Sequence, residues 1–257
     1  MEKNKRKEIT ESLLKTFLIA GSLSIELRKK GLKKEIKDDN TPVTNGDIEV
    51  NKLVTNKIKE LTPDIPIVSE ESIANKDKNN LKNFWLIDPI DGTYDYVNDG
   101  EEFTINAALI LNSKPSIGII YAPAKDRLFY TFDMGDSYEV SGNTKKKLDC
   151  NKKIQVGKIK AVSYSDKLKP IISDYHNKFG VTEFTKMKSS LKFCVIAASE
   201  FDIYVAEPRA SEWDIAAGHA ILQNAGGIVT DFENKEIYYG KEGFKNTSII
   251  LKRSEQI

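Results

Sequence analysis

The chain has 257 residues, 40% hydrophobic and 30% charged, the balance of a soluble globular protein with room for one large domain or two small ones. A formal net charge of +1 gives no overall field to attract nucleic acid or an anionic membrane. The only cysteines, Cys150 and Cys194, make no disulfide framework and suit a reducing compartment.

The opening "MEKNKRKEITESLLKTFLIAGSLSIEL" places basic residues before apolar ones, but Lys15 interrupts the run and no small-residue cleavage pattern follows. Ile9, Leu13, Phe17, Ala20 and Ser24 instead recur at helical spacing and predict an amphipathic first helix. No window approaches the roughly 18 uninterrupted apolar residues of a membrane-spanning helix, so the expected location is the cytoplasm, with peripheral contact to the inner membrane left open. Residues 32–45 read as extended and turn-like around Pro42. Residues 47–61 carry a helical pattern in Ile48, Leu53, Val54, Ile58 and Leu61, which Pro63 ends. "IPIVSEE" predicts a short strand leading to Glu70 and Glu71, and the polar residues 72–83 a mobile loop.

"FWLID", "FTINAALIL", "PSIGIIYAP" and "DRLFYTF" then predict an antiparallel meander over residues 84–142. The second half alternates. "KAVSYS" and "VTEF" read as strands around a helix near 166–178, and a helix follows over about 190–199. "FDIYVAE" is a strand, "WDIAAGHAILQNAG" a helix, and "GGIVTDF" and "SIILK" are strands. This order predicts a layered α/β (α+β) sandwich, one unit over residues 1–257 with a subdomain division near 150. Lysine clusters such as Lys29-Lys30 and Lys145-Lys146-Lys147 read as solvated faces.

The chemistry concentrates in "FWLIDPIDGTYDYVNDG", where Asp88 and Asp91 close a buried strand on a turn made with Pro89, Gly92 and Thr93. Carboxylates so close repel one another unless a cation lies between them. Oxygen ligands of this kind suit Mg²⁺. Gly92 and Thr93 open a short helix, "TYDYV", whose free N–H groups offer a phosphate cradle. The competing reading of the same residues is a plain Asp-Gly turn.

"WLIDPIDGT" resembles the first signature of the inositol monophosphatase superfamily, and "SEWDIAAGHAIL" the second. "DNTPVTNGDIEVN" and "PIVSEES" match two upstream blocks, in order and register over nearly the whole chain. The resemblance implies an αβαβα sandwich and a lithium-sensitive, Mg²⁺-dependent phosphomonoesterase using two to three ions. It assigns Glu70, Asp88 and the carbonyl of Ile90 to one Mg²⁺, and Asp88, Asp91 and Asp214 to a second. A looser third ion would lie near Glu70 and Asp47. Thr93 and Asp47 would orient and deprotonate the attacking water, and the backbone of Gly92 and Thr93 would hold the phosphate. Activation of water by metal removes the need for a histidine base, so His219 and Trp213 read as packing and Cys194 as core.

Within the superfamily, "SSLKFC" and "SEWDIAAGHA" are most similar to the bacterial CysQ-type 3′(2′),5′-bisphosphate nucleotidases. That branch implies cleavage of adenosine 3′,5′-bisphosphate to AMP and phosphate, with Lys192 facing the second phosphate. Three departures stand out. "SYSD", residues 163–166, replaces a Ser-Arg-Ser-His-like segment; Lys188 replaces a glycine; and "PRA", 208–210, replaces Gly-Pro-Thr. Lys188 either restores the lost charge or points at solvent. Glu207 stands where inositol phosphatases carry a sugar-binding glutamate, which keeps an inositol-1-monophosphatase or sugar phosphatase as the alternative. A non-catalytic anion sensor is the reading from another class. Monomer and homodimer are both compatible with the resemblance.

Overall fold

The computed structural model describes residues 1–36, 42–72, 81–150 and 157–257. Helix α1 (Lys3–Lys30) leads to the paired strands β1 (Lys34–Ile36) and β2 (Pro42–Thr44), then α2 (Asn45–Leu61) and β3 (Ile67–Ser69). Next come β4 (Phe84–Asp91), α3 (Thr93–Val97), β5 (Thr104–Leu111), β6 (Lys114–Ala122), β7 (Arg127–Asp133), β8 (Asp136–Ser141) and β9 (Thr144–Lys147). The remainder is β10 (Ile159–Ser163), α4 (Pro170–Lys178), β11 (Val181–Lys186), α5 (Leu191–Ala197), β12 (Ile203–Ala206), α6 (Glu212–Asn224), β13 (Ile228–Thr230) and β14 (Ile249–Lys252).

Strands β3 to β9 form a seven-stranded sheet in chain order, antiparallel except for the β3–β4 pair. A second, five-stranded sheet has the order β11-β10-β12-β14-β13. Period-two alternation sorts the layers. Trp85, Ile87, Ile105, Ala107 and Leu109 face α1 and α2 through Ile9, Leu13, Phe17, Val50 and Val54. Their neighbours Phe84, Leu86, Ala108 and Ile110 face α5 and α6, which also cover Val162, Tyr204 and Leu251 of the second sheet. The far face of that sheet, with Ala161, Ile203, Val205 and Ile250, packs on Ile172 of α4. The result is the αβαβα sandwich. At Gly118 of β6 a Cβ would stand 2.3 Å from the carbonyl oxygen of Ala217, so only glycine lets α6 lie this close to the sheet.

Several boundaries differ from the sequence reading. Helix α2 begins at Asn45, because Thr44 caps it and Asp47 sits inside the first turn. Helix α4 begins at Pro170, since proline is tolerated at the first helical position and residues before it are pushed extended. The first sheet continues past residue 142 through β9, whose residues are all exposed. Most of the polar stretch assigned to a mobile loop, residues 73–80, lies outside the described residues, as do residues 39–41 of the first upstream block. No helix among the described residues is long and apolar enough to cross a membrane.

Candidate active site

Strand β4 does not stop at Asp88 as its sequence suggested; it runs through Pro89 to Asp91. In a regular strand, residues three apart point to opposite faces. Here Asp88 pairs with Asn106 of β5 and Asp91 with Thr104, so three steps along β4 match two along β5. The bulge restores both aspartates to one side, and Pro89 is accommodated where β3, pairing only as far as Ile87, no longer needs its N–H. Glu70 follows β3 directly, and its N–H donates to the Ile87 carbonyl at 3.1 Å, which sets it beside Asp88.

Two further acids enter on helix starts, both at the third helical position. Asp47 Oδ2 accepts from the Thr44 N–H at 2.8 Å and hydroxyl at 2.6 Å. Asp214 Oδ2 accepts from the Ser211 N–H at 2.7 Å. Each helix start thus fixes one carboxylate oxygen by a capping bond and leaves the other free to face the site. Thr93 opens α3, and its hydroxyl lies 3.0 Å from the Ile90 carbonyl and 3.3 Å from Asp47 Oδ1. Gly92 ahead of it has φ +92°, and a Cβ there would meet the Glu102 carbonyl at 2.9 Å, so the turn requires glycine.

Carboxylate oxygens of Glu70, Asp88 and Asp214 all lie within 4.8 Å of one another. Burial, then the charges of Glu70, Asp91, Asp214 and Asp47, push the Asp88 carboxyl well above its ordinary value. Asp214 is pushed up to about 8 by burial and by Asp91 and Glu70. Burial also raises Asp47, against the hydrogen bonds from Thr44. A desolvated all-oxygen cluster of this kind is ionised together only with a cation inside it, and the donor set fits a hard divalent ion such as Mg²⁺.

Asp91 is absent from that closest trio. Its Oδ2 accepts from the Ser190 N–H at 2.5 Å and hydroxyl at 2.6 Å, with Asn106 Nδ2 at 3.4 Å. Ser190 Oγ also contacts the Asp214 carbonyl and accepts from Asn106 Nδ2 at 3.0 Å. Ser190 and Asn106 were not singled out by the sequence reading, yet they position Asp91. A lone asparagine inside the apolar "FTINAALIL" was the available signal, because a buried amide needs partners. Replacing Ser190 by alanine is expected to raise the Mg²⁺ concentration for half-maximal activity by about 10-fold or more, the usual scale for a group that orients a ligand. An unchanged Mg²⁺ titration contradicts that role.

A cavity of about 410 Å³ opens on these acids and is also lined by Tyr94, Tyr164, Lys188, Lys192, Tyr204, Glu207 and Arg209. Lys192 is buried, donates to the Ser189 carbonyl, and is held down to about 8 by desolvation. Lys188 borders the cavity, and its ammonium pairs with Asp95. Asp166 pairs with Lys186 at 2.8 Å and does not line the cavity; Tyr164 of the same segment does. Glu207 accepts from the Tyr164 hydroxyl at 2.7 Å and from Lys169. Against the opposing effect of its burial, these two donors hold its carboxyl below the ordinary range. His219 is buried on α6 with Nδ1 2.9 Å from the Tyr239 hydroxyl, pushed down to about 3 by desolvation, and serves packing. Cys194 likewise belongs to the core, and the half-buried Trp213 packs against it.

Residues 5–256 match the model of the inositol monophosphatase family. The 3′(2′),5′-bisphosphate nucleotidase CysQ of Salmonella typhimurium is 34% identical over 212 residues, 82% of this chain and 85% of that protein. The crystal structure of CysQ from Bacteroides thetaiotaomicron superposes with a TM-score of 0.78 at 25% identity, covering 96% of this chain and 97% of the other. Inositol monophosphatase from Anabaena shares the fold, with a TM-score of 0.76 at 22% identity over 96% and 91% of the two chains.

Proposed function

The chain belongs to the inositol monophosphatase family, and from that premise we propose that it is a Mg²⁺-dependent 3′(2′),5′-bisphosphate nucleotidase converting adenosine 3′,5′-bisphosphate to AMP and phosphate. The observation that carries the substrate is Lys192, a buried cation in the same cavity as the acidic cluster. A bisphosphate brings a second anion to this cavity that the monophosphate of a neutral polyol lacks. Glu207, the residue favouring an inositol phosphate, is already bridged by Tyr164 and Lys169.

Glu70, Asp88, Asp214 and the Ile90 carbonyl would hold Mg²⁺, with Asp91 and Asp47 beside them for a second and third ion. When bound, Mg²⁺ neutralises phosphate oxygens and acidifies a water. The protein supplies the rest. Asp47 and Thr93 form the hydrogen-bonded pair that would orient and deprotonate that water. The backbone at Gly92 and Thr93 would take phosphate oxygens, and Lys192 the distal phosphate.

The test compares kcat/KM for adenosine 3′,5′-bisphosphate and inositol 1-phosphate with Mg²⁺. A preference of about 100-fold for the nucleotide is expected, near 2.7 kcal/mol of discrimination. Preference for inositol phosphate overturns the substrate, and no Mg²⁺-dependent release of phosphate from any ester favours the anion-sensing alternative. Lys192→Ala is expected to raise KM for the bisphosphate by about 30-fold and far less for a monophosphate. Lys192 faces Asp91, Asp214, Glu102, Arg209 and the Tyr204 ring, and its ammonium loses its proton near pH 8. The ratio of kcat/KM for bisphosphate over monophosphate is therefore expected to fall as pH rises above about 8; a flat ratio to pH 9.5 contradicts it.

A further inference from the structure

We infer that Arg209 is a second specificity-determining residue for the distal phosphate beside Lys192, presented on Tyr164 of the segment 163–166 that itself carries no basic side chain. This rests on the nucleotidase reading above. Among the described residues, three cations line the cavity: Lys188, Lys192 and Arg209. The charge of Lys188 is matched by Asp95, and that of Lys192 is desolvated and tied to the Ser189 carbonyl. Arg209 alone of the three is exposed, and it makes no ion pair among the described residues.

Its position is built rather than incidental. The guanidinium carbon lies 4.1 Å from the centroid of the Tyr164 ring, and Tyr204 lines the same cavity. Tyr164 is itself anchored, because its hydroxyl donates to Glu207 at 2.7 Å and Glu207 takes the ammonium of Lys169. The ring is thus fixed at its hydroxyl and carries Arg209 on its face. A stacked guanidinium keeps its planar fork free for a phosphate and loses little freedom on binding. Lys192 feels Asp91 and Asp214 of the acidic cluster as well as Arg209, so it lies within electrostatic reach of both ends of this arrangement.

A tyrosine in "SYSD" and an arginine in "PRA" are therefore one paired departure: the first supplies a platform, the second the charge. Glu207, between Lys169 and Tyr164, serves that platform rather than a sugar hydroxyl.

The experiment measures kcat and KM for adenosine 3′,5′-bisphosphate and for adenosine 3′-monophosphate, which lacks only the second phosphate. Wild type, Arg209→Ala and Arg209→Lys are compared. Arg209→Ala is expected to raise KM for the bisphosphate about 30-fold with kcat nearly kept, and to change 3′-monophosphate kinetics by no more than about threefold. Arg209→Lys is expected to recover part of the loss, having the charge without the stacked fork. Activity on the 3′-monophosphate also reports that each variant is folded. Equal losses on both substrates overturn the assignment and make Arg209 a structural residue. No loss on either, with wild type still preferring the bisphosphate, overturns it while the nucleotidase reading stands. A wild type without that preference removes both.

Discussion

Replacing Asp88 by asparagine is expected to lower kcat/KM by a factor on the order of 10³ or more, and to raise the melting temperature of the metal-free protein. The two effects share one cause. Asp88 is fully buried, with Glu70, Asp91, Asp214 and Asp47 all raising its carboxyl. Without a cation, such a cluster binds protons or repels itself, and an amide removes one charge while still accepting the Ile90 N–H that Asp88 Oδ1 holds at 3.1 Å. With a cation, the same amide is a poor ligand at the centre of the site. Mg²⁺ is accordingly expected to stabilise wild type much more than Asp88→Asn, since a ligand stabilises only in proportion to its binding to the native state.

The pH dependence follows from the same cluster. Asp214 is pushed up to about 8 in the folded protein, against an ordinary value of 3.8. Between those two values the folded state holds a proton that the unfolded chain has released, so stability falls as pH rises. The metal-free protein is expected to lose melting temperature progressively from about pH 4 to about pH 8, and Asp214→Asn to flatten that slope. Excess Mg²⁺ is expected to flatten it too, by favouring the ionised carboxylates. A metal-free protein whose melting temperature rises across this window would show that the acids are not mutually repelling.

Much of this site is legible in the sequence because its parts are local. Ile9, Leu13, Phe17, Ala20 and Ser24 fall on one buried helical face as their spacing requires, and the β-branched strands assort by alternation. The acids of "DPIDGT" suggest a cation by type and spacing, and the resemblance of the surrounding blocks sets that reading above a plain Asp-Gly turn. What the spacing conceals is the bulge: two aspartates three apart in a strand diverge unless one residue is unpaired, and no side chain declares that. The capping roles of Asp47 and Asp214 are likewise settled by which residue starts each helix, and for α2 the sequence pattern placed that start two residues late. Cavity cations are the hardest to read. Lys188 and Asp166 stood out as a gained charge and a gained acid, but each is matched by a partner distant in sequence, Asp95 and Lys186. Arg209 meets Tyr164 across 45 positions of chain, because β10 and β12, which lead to them, pair as parallel neighbours in one sheet.

Thr93→Ala and Asp47→Asn are each expected to lower kcat by about 10²- to 10⁴-fold, the range for loss of a positioned proton acceptor, and the double variant by no more than the worse of the two. The hydroxyl of Thr93 lies 3.3 Å from Asp47 Oδ1, and it can pass a proton only to a carboxylate that stays ionised and aimed at it. Asp47 is held in that aim by Thr44, whose N–H and hydroxyl both bind Oδ2, so the capping bond of α2 also orients the acid. If the two act as one relay, removing either breaks it, and the second substitution has nothing left to remove. Thr93→Ser retains the hydroxyl and is expected to stay within a few-fold of wild type. Asp47→Asn also weakens a helix cap, worth about 1 kcal/mol, so its melting temperature separates that loss from the loss of turnover. Losses that multiply in the double variant would mean that Thr93 and Asp47 serve different steps, with Thr93 then acting through its 3.0 Å contact to the Ile90 carbonyl on the geometry of the ligand loop.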